Sequence, residues 1–311
     1  MATSELRGPA LQHIGADPDA PRLAPRLVKL AISLGFYLVV EGWRVVLRML
    51  GRTPPVRSVA IYYHHVLRNQ RRDFARQLDH LSRWTTPLRA DASQPLSSAA
   101  RYSMVTADDG WKSFAENAVP ELVQRNIPVA IFAISDRLGQ SVDDIEFDRL
   151  LTPEELRSLD PRVVTIGSHG ATHARMTTLS EQDADRELCD SRAALESILG
   201  RSVTMFCFPY GDYGAALAPL CREAGYQRIF TCVPEPANLE QFALGRVRVD
   251  PTDSMLEFHL KLMGAYRWLP MAIALKRRLL SSKRTLVFAE GARDSLPSRI
   301  EANEELTQTP R

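Results

Sequence analysis

Apolar residues recur along this chain in two rhythms. From residue 58 onward, short runs rich in β-branched and aromatic residues alternate with longer segments whose apolar positions fall three or four apart. The short runs, at 58–63, 103–107, 129–134, 163–167, 203–208, 228–233 and 244–249, predict strands. The longer segments, at 74–84, 114–125, 153–159, 181–199, 214–224 and 254–263, predict amphipathic helices. Strict alternation of strand and helix requires crossover connections, and hence parallel strands. The expected fold class is therefore α/β, a distorted (β/α)7 barrel that lacks the eighth strand of the full form. Helix ends are marked in the sequence. Thr152-Pro153 with Glu155, and Ser180 before Glu181 and Asp183, are N-cap signals, and Gly200 is a stop.

Both ends of the chain depart from this rhythm. Residues 1–25 are polar and carry Pro9, Pro18, Pro21 and Pro25, so they are expected to be disordered. Residues 26–52 read as a helix on which Arg26, Lys29, Ser33, Tyr37, Glu41, Arg44 and Arg48 form one polar stripe. Its remaining face is apolar and includes Trp43. The uncharged core of this helix, residues 30–40, falls short of the roughly 20 apolar residues that cross a bilayer. No small-residue cleavage site follows, so a removable signal peptide is not expected. Three readings stay open: a helix in the membrane interface, an ordinary helix packed on the barrel or in a dimer, and an uncleaved signal-anchor.

The barrel is expected over 58–257, and 258–289 changes character again. That stretch has no acidic residue but carries Lys261, Arg267, Lys276, Arg277, Arg278, Lys283 and Arg284 among apolar positions. It reads as a basic amphipathic segment, on a membrane surface or packed on the protein itself. Residues 290–311 are polar and read as a disordered tail.

Composition adds little. The 311 residues are 45% hydrophobic and 24% charged, enough for a sizeable core. A net charge of +2 without a recognition motif gives no case for nucleic acid. Cys189, Cys207, Cys221 and Cys232 form no C-x-x-C pair and read as buried apolar residues. Free thiols and the lack of a leader favour a cytoplasmic enzyme, or one peripheral to the cytoplasmic face of the inner membrane.

The chemistry gathers at strand ends. Tyr63-His64-His65, Thr106-Ala107-Asp108-Asp109-Gly110, His169-Gly170-Ala171-Thr172-His173, Phe208-Pro209-Tyr210-Gly211 and Arg246-Val247-Arg248 all lie at or just beyond the C-terminal ends of expected strands. In a β/α barrel those ends share one rim. Two histidines and a carboxylate make a set that binds a divalent metal and leaves positions open. Taken singly, the H-x-x-x-H pair reads equally as a surface pair, and Asp-Asp-Gly as a turn.

In these motifs the chain resembles the polysaccharide deacetylase family, the NodB-homology or carbohydrate esterase family four domain, from about residue 59 to 250. The resemblance implies that Asp109, His169 and His173 hold one divalent metal, zinc first, with nickel, cobalt or iron as alternatives. It implies Asp108 as general base and the backbone N–H of Tyr210 as oxyanion donor, with Pro209 and Arg246 binding or orienting. The chain departs from the family pattern at Ala107, at the Phe206-Cys207-Phe208 run, and in lacking the late Leu-x-His that supplies an acid. His259 lies near that region but reads as a helix-surface residue. Tyr63-His64-His65-Val66 resembles a subgroup in which the first-strand histidine is the acid, which implies that role for His64. The implied activity is removal of N-acetyl groups from amino sugars of a polysaccharide or lipid-linked glycan. A decayed barrel acting as a glycan-binding or scaffold protein is the alternative.

Overall fold

The computed structural model describes residues 23–141 and 148–275. The expectations for 1–22, 276–289 and the tail 290–311 fall outside these residues. The chain divides into two units, Met1–Trp268 and Leu269–Arg311. In the second, residues 269–275 are helical and expose Met271, Ile273 and Leu275.

The first unit holds the barrel. Strands β1 (Arg57–Tyr63), β2 (Thr86–Leu88), β3 (Arg101–Ala107), β4 (Val129–Ala133), β5 (Val164–Ser168), β6 (Met205–Cys207), β7 (Arg228–Thr231) and β8 (Ala243–Arg248) all pair in parallel. Because β1 pairs with both β3 and β8, the sheet closes on itself. Seven strands make the ring, as the α/β alternation predicts. The additional β2 lies outside it, pairing only with the N-terminal half of β3, while β4 takes the C-terminal half. Its three residues include Pro87, which lacks an N–H, so neither length nor composition announces a strand.

Inward positions alternate along each strand and interlock. Ala60, Met104, Ala130, Phe132, Met205 and Phe230 fill the interior. Gly167 on β5 is needed there: a Cβ would come within 2.5 Å of the Phe132 ring. The space a side chain would take is already filled by an aromatic neighbour.

Outside the ring run α1 (Leu23–Met49), α2 (Arg71–Trp84), α3 (Lys112–Asn117), α4 (Val119–Gln124), α5 (Pro153–Ser158), α6 (Glu181–Leu199), α7 (Leu217–Glu223) and α8 (Met255–Leu262). Thr152 caps α5 in a reciprocal box with Glu155, Ser180 accepts from the Asp183 N–H, and Gly200 ends α6 in the left-handed region. The single helix expected over 114–125 is two. Pro120 has no N–H to give to the preceding turn, and the chain breaks at Ala118.

The first helix is turned inside out relative to a surface helix. Its polar stripe faces the barrel: Arg26 pairs with Asp253 and Glu257, Ser33 accepts from Trp268 Nε1, and Glu41 pairs with Arg57 and Arg101. Its apolar residues, among them Leu27, Leu38, Val39, Trp43 and Val46, are exposed. The stretch Pro25–Met49, whose most apolar 18 residues have a mean hydropathy of 1.6, is long and apolar enough to cross a membrane by length and composition. That corrects the expectation from its eleven-residue uncharged core, because the polar residues punctuate one face without lowering the average enough.

Candidate metal centre and active-site cleft

Asp108 and Asp109 follow β3, and backbone geometry separates them. Asp109 sits in the left-handed region at φ 70°, which reverses the chain between the two side chains. Asp108 is directed at the barrel interior, where Arg246, 0% exposed, grips both its oxygens at 2.7 and 2.8 Å. Asp109 meets the imidazoles instead: its Oδ1 lies 3.4 Å from Nε2 of both His169 and His173. Its other oxygen accepts from Trp111 Nε1 at 3.0 Å.

The histidines come from the end of β5 and the turn beyond it. His169 Nδ1 lies 2.7 Å from the Cys207 carbonyl; with the proton on Nδ1 donated there, Nε2 is left as a free lone pair. The turn to His173 passes through Gly170 at φ 83° and ends with His173 itself at φ 68°. Buried Glu187 of α6 holds it, accepting from the N–H groups of Ala171 and Thr172 and from the Thr172 hydroxyl. A Cβ on Gly170 would stand 2.9 Å from that carboxylate.

Electrostatics suit a cation. Burial pushes the His169 imidazole down to about 4, so it is neutral, the ligating form, at ordinary pH. Burial works to raise both carboxyls, but His173 and its neighbours hold Asp109 well below the usual range. Arg246, aided by His169, holds Asp108 below its ordinary value. Asp109, His169 and His173 offer donor atoms all within 4.8 Å of one another. A separation of 3.4 Å matches the edge of a tetrahedron built on bonds of about 2.1 Å, so the three fit a zinc-sized divalent ion. Asp108, His169 and Cys207 also lie close together. In that grouping, however, Asp108 is committed to Arg246, and burial holds the Cys207 thiol protonated.

A cleft of about 180 Å³ opens above, lined by Tyr62, His64, Asp108, His173, Tyr210 and Arg248 among others. His64 thus shares the cleft with both aspartates, its ring edge-on to Tyr62. Tyr210, at φ 59°, lies between the His173 ring and the Arg175 guanidinium. Pro209 is buried in the turn beside Gly170 and does not line the cleft. Among the described residues, three of the four non-glycine residues with positive φ, Asp109, His173 and Tyr210, surround this one site.

Some expectations need correcting. His259 lies on α8 as expected but is half-buried rather than free at its surface: it is bonded to His80 at 2.9 Å and packs against Tyr37 and Trp84. Cys207 and Cys221 are buried, whereas Cys189 and Cys232 are only half-buried. Sequence reading missed Trp111 and Glu187, which orient the ligand residues without touching the metal position. For Glu187 there was a signal, a carboxylate on the same stripe of α6 as Ala184, Leu188, Ser191 and Leu195.

Residues 97–229 match the family described as polysaccharide deacetylase. A Bacillus subtilis (strain 168) protein named as a polysaccharide deacetylase, YxkH, is 28% identical over 165 residues. That match covers 52% of this chain and 55% of the relative, so the chain spans about half the length of that curated protein. Among solved structures, IcaB from Ammonifex degensii superposes with a TM-score of 0.56 at 23% identity, over 68% of this chain and 98% of IcaB. The deacetylase PplD of Streptococcus pyogenes, solved with acetate, gives 0.56 at 18% identity, over 67% and 97%. At those identities the two structures speak for the fold, which is the same barrel. Over residues 97–229 this chain is thus similar to the polysaccharide deacetylase family, and its barrel has the fold of the solved deacetylases.

Proposed function

We propose that the chain is a metal-dependent hydrolase that removes N-acetyl or similarly small acyl groups from amino sugars of a glycan. The observation that carries this is the divergence of two adjacent aspartates: Asp109 faces two imidazoles at 3.4 Å, and Asp108 is held ionised by Arg246. A divalent ion held by Asp109, His169 and His173, zinc first, supplies polarisation of the scissile carbonyl and acidification of water. Asp108 accepts the proton as water attacks, its carboxyl being held below the ordinary pKa by Arg246. The Tyr210 N–H donates to the oxyanion. His64, which lines the same cleft as the aspartates, protonates the departing amine.

The exposed apolar face of α1 supports a further part of this reading, peripheral attachment to a membrane. Crossing the bilayer would strip Arg26, Ser33 and Glu41 from the partners they have on the barrel. Lying along the interface keeps them. We place the enzyme on the cytoplasmic face, acting on a lipid-linked or nascent polysaccharide.

Acetate release from N-acetylglucosamine oligomers, by metal-loaded and by chelated protein, tests the activity. Loaded protein that binds such oligomers without releasing acetate would instead establish a glycan-binding scaffold.

A further inference from the structure

Away from the cleft, a cavity of about 360 Å³ lies where α1 crosses the base of the barrel, the end at which the strands begin. Arg44, Arg57, Arg101 and Arg267 line it together with Val39 and Trp43. Among the described residues these four guanidiniums face one acidic neighbour, Glu41, whose Oε2 is shared between Arg57 at 3.7 Å and Arg101 at 3.1 Å. Like charges gathered under low-dielectric cover repel, and nothing in the barrel fold requires them to be there.

Arg44 is the most telling of the four. It is only 6% exposed, and its Nη1 donates to the Pro55 carbonyl at 2.8 Å. Among the described residues its Nε and Nη2 are buried with no partner, and so is Nε of Arg57. Burial of a guanidinium with unmade hydrogen bonds is strongly unfavourable unless something supplies the acceptors. Burial and mutual repulsion hold Arg44 and Arg57 below the ordinary guanidinium range. What such a set lacks is a compact anion with several acceptor oxygens, and planar guanidinium forks match phosphate.

The mouth of the cavity says which phosphate. Val39, 72% exposed, and Trp43, 59% exposed, belong to the apolar face of α1 that also carries Leu38, Val46 and Met49. A free phosphate needs no such border. A head group whose acyl chains continue along an apolar helix face does, and tryptophan favours that depth in a bilayer.

We infer that this cavity is a binding site for the phosphate of an anionic phospholipid head group. Arg44, Arg57, Arg101 and Arg267 contact the phosphate, and Val39 and Trp43 lie against the glycerol and upper acyl chain. The assignment rests on the proposal that α1 lies along a membrane. It adds that attachment is selective for lipid charge and has a stoichiometric site.

Flotation of the full chain with phosphatidylcholine vesicles, with and without phosphatidylglycerol, tests it. The variants are Arg44→Gln, Arg267→Gln and Val39→Asp, each checked for a native melting transition. Arg267→Gln serves where Arg44→Gln fails to fold. Binding should favour phosphatidylglycerol, and each arginine substitution should reduce that preference by about five-fold. Neither should alter binding to phosphatidylcholine or activity on a soluble substrate. Equal binding to both vesicles, or a preference untouched by either arginine variant, overturns the head-group site while membrane attachment stands. No flotation with either vesicle, and no effect of Val39→Asp, overturns attachment itself. A thermal shift with soluble dioctanoyl phosphatidylglycerol should appear in wild type and not in Arg267→Gln. An equal, arginine-dependent shift with inorganic phosphate at the same concentration would overturn the lipid assignment in favour of free phosphate.

Discussion

Arg246 binds Asp108 through two parallel hydrogen bonds inside the barrel, and its guanidinium also reaches the Thr106 hydroxyl and lies 4.5 Å from the centre of the Tyr62 ring. Neither charge could be left there alone. Arg246→Met should therefore destabilise the fold by about 3–5 kcal/mol, as loss of one member of a buried pair does. Where protein survives, the acid limb of its activity profile should move to higher pH. The sign follows from the pair: Arg246 holds the Asp108 pKa below its ordinary value, so without it the base protonates sooner as pH falls. Denaturant melts and a pH–kcat/KM profile check both parts.

Asp108→Asn keeps shape while removing the proton acceptor. Turnover should fall by about 10²–10⁴-fold with metal content unchanged, read by acetate release and elemental analysis. Near-normal turnover would remove Asp108 from the mechanism.

Trp111→Phe tests orientation of a ligand from outside the donor set. It deletes the hydrogen bond to Asp109 Oδ2 but leaves the donors in place. Metal affinity should drop about 10–100-fold, while kcat at saturating metal changes much less. Competition with a chromogenic chelator measures the first quantity and metal titration of activity the second.

His64 should matter in proportion to how much the leaving group needs a proton. His64→Gln should reduce amide deacetylation by about 10²-fold and hydrolysis of an activated aryl acetate far less. Equal losses on both substrates would indicate a packing or binding role.

The His80–His259 contact predicts an acid-sensitive element far from the chemistry. Burial lowers both imidazoles below their ordinary pKa, with Arg83 adding to this at His80 and Arg101 at His259. The unfolded chain then binds more protons than the folded one, so stability should fall as pH drops from about 6.5 through the lowered values. His259→Gln should flatten that part of a melting-temperature profile.

Much of this molecule was legible beforehand because β/α barrels turn sequence order into spatial order. Once β1 and β3–β8 are recognised as successive parallel strands, residues after Tyr63, Ala107, Ser168 and Cys207 must share a rim. What stayed hidden depends on contacts without periodicity. The strand at Thr86–Leu88 is too short and carries a proline. The break at Ala118 follows from one proline in an otherwise helical pattern. Trp111 and Glu187 act through single hydrogen bonds to groups that only the fold brings near. The direction of α1 was hidden for another reason: a polar stripe tells that two faces differ, and not which one meets protein.

That direction has a consequence for access. The N-terminal part of α1 is tied through Arg26 to Asp253 and Glu257, at the level where β8 ends. Glu41 is tied to Arg57 and Arg101, where β1 and β3 begin. The helix therefore runs the height of the barrel wall, from mouth to floor. Whatever covers its outer side flanks the protein and leaves the mouth unobstructed. Resting on a surface by that flank, the barrel lies on its side with the cleft facing along the surface.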